Sequence, residues 1–307
     1  MLGYLCAYYR HYYPIEFITS FLNNAANEDD IRNGINYAKK IGIKVTMPKW
    51  GISKSEYFFN RDNNIIAKGL TSIKYMGSGI AEKMYNLAHS KEYKYFVDIL
   101  HDIRGIPIDR RKLDILIKLD FFVDFGNQRE LLRITELFHE IFKDGEAKRV
   151  SRSKVDGTLL EPIITKYAEC KTKAGTKAVN YTLLNTKEIL HETEENILNL
   201  NMEDLDESVK VKNFIEATGY MGYISNKEED RRKLYVMKIY PLVRKRDNKQ
   251  FGYSFITKSI GSGIESRFTV FNRVYDVEPI KEGDIICCTS WERDGKYFRM
   301  TGYKKIF

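Results

Sequence analysis

The 307-residue chain is 43% hydrophobic, enough to bury more than one core, and ordinary domain sizes suggest about two domains. Its 50 Lys and Arg against 42 Asp and Glu give a net charge of +8, which favours a polyanionic partner only where the cations cluster. Secretion and membrane insertion are not indicated. No apolar run reaches the roughly 18 residues of a bilayer span, Arg10, His11 and Glu16 interrupt any signal-peptide core, and Cys6, Cys170, Cys287 and Cys288 lack metal-ligand spacing, so a reduced cytoplasmic compartment fits best.

Residues 4–23 (YLCAYYRHYYPIEFITSFLN) read as a helix, a proline-marked break and a second helix. Met1 leads almost directly into this aromatic-rich element, as expected of a piece of something larger. From Asp29 to Ile41 the residues Ile31, Ile35, Tyr37, Ala38 and Ile41 approximate a helical face, and Gly42 stops it before a short strand at Ile43-Lys44-Val45. Residues 48–64 are polar and irregular. Ile65-Ile66-Ala67 then leads to Gly69, and residues 71–88 carry helical signals on both sides of Gly77-Ser78-Gly79.

A second unit follows in the same style. Residues 93–103 look helical, Gly105 and Pro107 break the pattern, and Asp109 can cap a helix whose apolar face is Leu113, Leu116 and Ile117. After the turn Asp124-Phe125-Gly126-Asn127, another helix runs through Leu131, Leu132, Thr135, Leu137 and Phe138 to Asp144-Gly145. Residues 146–185 are basic and residues 188–207 acidic, a contrast expected of a linker and a surface helix. From Glu216 the pattern becomes short alternating or aromatic runs at 218–224, 234–243, 251–258, 267–271, 285–291 and 296–303, which predict a small barrel. The fold class is therefore α+β and multidomain, with an all-helical N-terminal half and a C-terminal β-barrel.

The most informative stretch runs from Gly69 through Lys74, Gly77, Ser78 and Gly79 to Lys83 and Met84. In a helix-hairpin-helix, a glycine turn lets backbone N–H groups approach a DNA phosphate without Cβ interference, and the next helix adds its positive dipole end. The competing reading is a tight helical turn with no ligand. In the barrel segment, residues 231–249 carry eight basic residues with Tyr235 and Tyr240 interleaved and Phe251 and Tyr253 close behind. Stacking on Tyr235, Tyr240, Phe251 and Tyr253 with Arg244, Lys245 and Arg246 tracking the phosphates would suit single-stranded DNA. Beside it stands the reading that the cations are a solvated hairpin turn and the aromatics are core. Gly261-Ser262-Gly263 lacks the Lys and helix of a P-loop and reads as a flexible loop. His11, His89, His101, His139 and His191 are isolated, Cys6 has no evident activating partner, and Asp204-Leu205-Asp206 lies in a solvated acidic run, so no metal, cofactor or catalytic residue is expected.

Four blocks in order resemble the alpha subunit of bacterial DNA polymerase III. They are Ala7 to Phe17 (AYYRHYYPIEF), Met47-Pro48 after Gly42-Ile43-Lys44-Val45, Gly69-Leu70 to Gly79, and Leu113 to Asp124 followed by Asn127-Gln128-Arg129. Together they cover residues 4–135. The resemblance implies a DNA-directed DNA polymerase (nucleotidyltransferase) family and a fingers-like helical segment at 1–64. It further implies a tandem helix-hairpin-helix at 65–145 with Asn127 and Arg129 in the second hairpin and an OB-like barrel at 212–307, while the charged connection at 146–211, read from its charge contrast, matches no part of the family. In that family the palm with its metal-binding aspartates and a phosphoesterase-like domain precede the position matched by Tyr4, so no autonomous polymerase site is expected here. The implied partners are DNA and other polymerase parts or replication proteins. A sliding clamp would need a Gln-led peptide ending in Leu-Phe, whereas Ile134-Thr135-Glu136-Leu137-Phe138 lacks the Gln and reads as an ordinary amphipathic helix. The rival expectation is a protein-interaction module, in which the aromatic residues 4–22 dock on a replication protein to complete or inhibit it.

Overall fold

The computed structural model describes residues 2–169, 180–219, 221, 222, 224, 225, 227–295 and 297–306, and it divides into two compact units, Met1–Leu205 and Asp206–Phe307.

The first unit opens with α1 (Leu2–Tyr12) and α2 (Pro14–Asn23). Pro14 starts α2 because a missing N–H costs nothing in a first helical turn. Ile15, Ile18 and Leu22 of α2 are buried, and α2 packs on α3 (Glu28–Lys40), whose N-terminus is closed by the Asn27 side chain accepting from Asp30 N at 2.9 Å. A small sheet follows, in which β3 (Ile65–Ala67) lies between a parallel β1 (Lys44–Thr46) and an antiparallel β2 (Phe58–Asn60). Next come α4 (Ser78–Ser90), α5 (Phe96–Ile103), α6 (Arg110–Lys118) and α7 (Gln128–Glu140). The largest fully buried side chains of these helices and their connections are Phe96, Phe121, Phe122, Phe138 and Phe142. Trp50 packs its ring edge-on to Phe121 and donates its backbone N–H to Phe121 O at 2.8 Å, tying the segment before the hairpins to the core.

The described residues of the stretch expected to be a linker and surface helix are folded. It contains β4 (Arg149–Ser151), α8 (Arg152–Val155), α9 (Glu161–Tyr167), β5 (Ala168–Glu169), β6 (Asn180–Leu183) and α10 (Thr186–Asn199), with β6 central in a three-stranded sheet. Four glutamates and a lysine obscure an apolar stripe on α10: Ile189, Leu190, Thr193 and Ile197 are buried, and the helix packs on α5, α7 and α9.

The second unit begins with α11 (Glu207–Thr218), closed by the Asp206 side chain at one end and by Gly219, at φ +86°, at the other. Helix therefore occupies the start of the segment 218–224 that alternation marks as strand, and Tyr220 and Tyr223 lie outside the described residues. The barrel comprises β7 (Lys233–Val243), β8 (Gln250–Ser259), β9 (Glu265–Phe271), then the short α12 (Asn272–Tyr275), β10 (Ile285–Asp294) and β11 (Tyr297–Lys305). Around the barrel, the first, second, third, fifth and fourth strands follow one another and the fourth closes on the first, with β11 parallel to β9 and every other pair antiparallel. This is the OB-like order. Val236, Phe255, Val270, Ile286 and Met300 fill the interior. A bulge between Val236 and Lys238 switches which residues of β7 point inward: Leu234 and Val236 do so before it and Ile239 after it.

Candidate nucleic-acid interface

The first hairpin turn is held from beneath. Leu70, Ile73, Met76, Ala81 and Met84 are buried, whereas Lys74, Tyr75, Gly77, Ser78, Gly79 and Lys83 are exposed. Helical signals begin at residue 71, but the first arm is only a 3-10 turn, Leu70–Ser72. The reason is local. Leu70 N and Thr71 N donate to Lys54 O and Ser55 O, both at 3.0 Å, and a Cβ on Gly69 would lie 2.3 Å from the Ser55 and Glu56 backbone. Those contacts pin the arm to residues 54–56, and Ile73, extended at φ −95° and ψ +134°, ends the turn after Ser72.

On the outward side the situation reverses. Gly77 precedes α4 with φ −79° and no side chain caps the helix. Its carbonyl accepts from Ile80 N and Ala81 N at 3.1 Å, while the N–H groups of Gly77, Ser78 and Gly79 meet no acceptor among the described residues. A Cβ added at Gly77 or Gly79 would meet nothing within 4 Å. Neither glycine is thus needed by the chain's own packing, and three unsatisfied donors face outward at the positive end of a 13-residue helix. Lys74 and Lys83, the cations beside them, have no carboxylate partner among the described residues.

The second hairpin, α6 to α7, is closed differently. Asn127 caps α7 in a reciprocal capping box with Glu130, and its Nδ2 donates to Met202 O at 2.7 Å. The Asn127 side chain is therefore spent within the fold, and it fixes the helix that carries Arg129. Arg129 is exposed in the first turn of α7, again with no ion pair among the described residues. Between the hairpins, the N-terminal amides of α5 are satisfied by a residue the acidic run concealed. Glu194 of α10, 2% exposed, accepts from Phe96 N at 2.7 Å and Val97 N at 2.8 Å, and burial pushes its carboxyl up to about 7 against the pull of those donors.

On the barrel, the sequence-marked residues fall into two groups. Tyr240 is exposed, as are Arg244, Lys245 and Arg246 in the β7–β8 loop, and the half-buried Phe251 lies 5.7 Å below the Arg244 guanidinium. Tyr235 and Tyr253 instead turn toward apolar clusters, the latter with its ring centroid 3.9 Å from that of Tyr275. Cross-strand register shows what the segment 231–249 could not. Tyr240, Ser254, Thr269 and Arg299 form one outward row, and Leu242, Gly252 and Phe271 form the next. Arg299 covers the Phe271 ring at 4.8 Å, and Arg267 donates to Ser254 Oγ at 2.7 Å. Outward alternation along β9 (Arg267, Thr269, Phe271) was the available signal for this face.

Other candidates are quieter. Gly261 and Gly263 serve packing: a Cβ on Gly261 would lie 2.5 Å from Lys227 O and 2.6 Å from Arg231 N, and Gly263 has φ +68°. Leu137 and Phe138 are buried, so the pentapeptide 134–138 is core. Cys6 is exposed, Cys287 half-buried, and Cys288 buried with its thiol pushed up to about 11 by desolvation; Cys170 lies outside the described residues. Among the described residues no three His, Cys, Asp or Glu side chains gather as metal ligands, and no helix is long and apolar enough to cross a membrane.

An open amide turn between a short 3-10 arm and α4 has the form of a helix-hairpin-helix turn, and the helix-hairpin-helix motif family matches residues 42–132. The resemblance to the alpha subunit of DNA polymerase III is borne out. The chain is 24% identical over 220 residues to DNA polymerase III subunit alpha of Ureaplasma parvum, a match covering 64% of this chain and 22% of that protein. It is 27% identical over 133 residues to the Bacillus subtilis subunit (43% of this chain, 12% of that one) and 32% identical over 135 residues to the Campylobacter jejuni subunit (43% and 11%). The matches thus span about a fifth or less of these relatives.

Proposed function

We propose that this chain is a DNA-binding portion of a polymerase of the DNA polymerase III alpha type, contacting nucleic acid while the chemistry of nucleotide addition lies outside these residues. Gly77, Ser78 and Gly79 offer their amides to a duplex phosphate, Lys74 and Lys83 supply charge beside it, and Arg129 adds a contact at the second hairpin that Asn127 holds in place. A single strand tracks the outer barrel face through Tyr240, Phe251 and the loop cations Arg244, Lys245 and Arg246, with Tyr253 supporting the sheet from the barrel interior and Tyr235 packed against Val211 and Ile285. The observation that carries the reading is the set of three outward amides without acceptors, at glycines where a Cβ would meet nothing. Such contacts read the phosphate backbone and not the bases. Duplex affinity is therefore expected to be indifferent to sequence and to fall steeply with salt. Retardation of unrelated duplexes and of oligothymidylate over a salt series tests it, and absence of binding to either at low salt would refute it.

One observation favours a second reading, docking on another replication protein. Along α1, Tyr4, Tyr8, Tyr9 and Tyr12 are exposed, and Tyr13 beyond it is exposed as well. Replacing Tyr4, Tyr8 and Tyr12 with serine would abolish co-purification with a polymerase catalytic subunit under this reading and leave DNA retardation unchanged.

A further inference from the structure

Tyr75 holds φ +68°, in the left-handed region that favours glycine and disfavours a bulky side chain, and it does so two residues before the open amides of Gly77. Its ring is not used as core, being 57% exposed. The ring is occupied on one side: the Arg111 guanidinium lies 4.6 Å from its centroid, and Arg111 Nη2 donates to the Tyr75 hydroxyl at 3.2 Å.

Arg111 is itself oddly placed. The first turn of α6 holds Arg110, Arg111 and Lys112 and no acid, although a helix N-terminus repels cations. Arg110 has Glu140 at 3.4 Å, and Lys112 has Asp109 at 3.8 Å. Arg111 has no carboxylate partner among the described residues and rests on Tyr75 alone. A guanidinium carries five N–H donors in a fixed fork, so one bond to a phenol leaves most of them available.

From this geometry we infer that Arg111 is an additional phosphate contact at the first hairpin and that Tyr75 is the positioning residue that aims it. The inference rests on the duplex reading given above for Gly77 to Gly79. The ring and hydroxyl of this strained tyrosine hold a cation from the second hairpin beside the turn of the first. The duplex then meets the orphan amides and the guanidinium fork together, on neighbouring stretches of the same anionic backbone. Glycine at position 75 would relieve the backbone but release Arg111 into solvent.

The test measures fluorescence anisotropy of a labelled duplex across a salt series, with thermal unfolding of each protein alongside. Tyr75→Gly is expected to unfold at the same or a higher temperature than the unmodified chain, yet to bind duplex roughly 3- to 10-fold more weakly. Arg111→Ala should show a matching loss, and each change should lower the slope of log affinity against log salt by about 0.9, the signature of one phosphate contact. The double variant should be no weaker than either single one, because both remove the same contact. Tyr75→Phe, which keeps the ring and loses the hydroxyl, should fall between. If Gly79→Val abolishes binding while Tyr75→Gly and Arg111→Ala bind like the unmodified chain with unchanged slope, this inference is wrong and the hairpin reading stands. Loss with Arg111→Ala but not with Tyr75→Gly removes the positioning role of the tyrosine. Failure of the unmodified chain to bind any duplex overturns the hairpin reading and this inference with it.

Discussion

The tripeptide Gly-Ser-Gly occurs twice, at residues 77–79 and 261–263, and the two copies have opposite surroundings. At 77–79 the amides point outward without acceptors, and a Cβ on either glycine would find open space. At 261–263 Gly261 N donates to Asp230 O at 3.1 Å and Gly263 N to Ser259 O at 2.8 Å, while a Cβ would strike backbone atoms at Gly261 and the Ile224 side chain at Gly263. A glycine can exist for its own chain or for something outside it. What distinguishes the two is not the motif but which donors are left over and what a side chain would strike.

The sharpest way to break this contrast is to substitute both sites. Gly261→Val places carbon against backbone that cannot move aside cheaply and is expected to destabilise the barrel unit by about 3 kcal/mol, read by denaturant unfolding. The helix termini extend the comparison, because the α5 amides are satisfied by Glu194 where those of α4 are not. Glu194→Ala leaves Phe96 N and Val97 N buried without an acceptor, at a cost of about 2 kcal/mol in the same measurement. Glu194 also sets a pH dependence. Its folded-state pKa, about 7, lies above the unfolded carboxyl value of 4.5, so the folded state holds the proton more tightly. The associated stability is full below pH 4.5 and is lost as pH rises through about 7, and Glu194→Gln should flatten the unfolding free energy across that window. Asn127→Ala removes the cap of α7 and its bond to Met202, an expected loss of about 1 kcal/mol. The smallest change is Gly79→Ala: with open space at that Cβ in the first turn of α4, stability should stay level or rise by about 0.5 kcal/mol in thermal unfolding.

Much of the scaffold was legible because its signals are local. Pro14 separates α1 from α2, Asp109 caps α6, Asn127 caps α7, and the glycine- and lysine-rich turns mark the barrel strands. What escaped depends on distant partners. The apolar stripe of α10 is diluted by charge, and the role of Glu194 exists only because α5 folds back against it. Tyr235 and Tyr240 stand on the outer side of β7 because the bulge after Val236 shifts the phase between them, yet Tyr235 is covered by the cluster of Val211, Met221, Ile260 and Ile285 while Tyr240 is exposed. Arg111 and Arg299 were invisible for a related reason, and Arg267 and Phe271 showed only in the alternation of β9. Each earns its place beside a residue from another element, and a linear reading of charge clusters ranks them below the run Arg244-Lys245-Arg246.

The most direct measurement is duplex affinity of Gly77→Val, Gly79→Val and the double variant over a salt series, with thermal unfolding recorded on the same samples. The account predicts unfolding temperatures close to that of the unmodified chain together with a loss of duplex binding of roughly tenfold or more, since only an external backbone would meet the added carbons. Unchanged affinity in folded variants would contradict it.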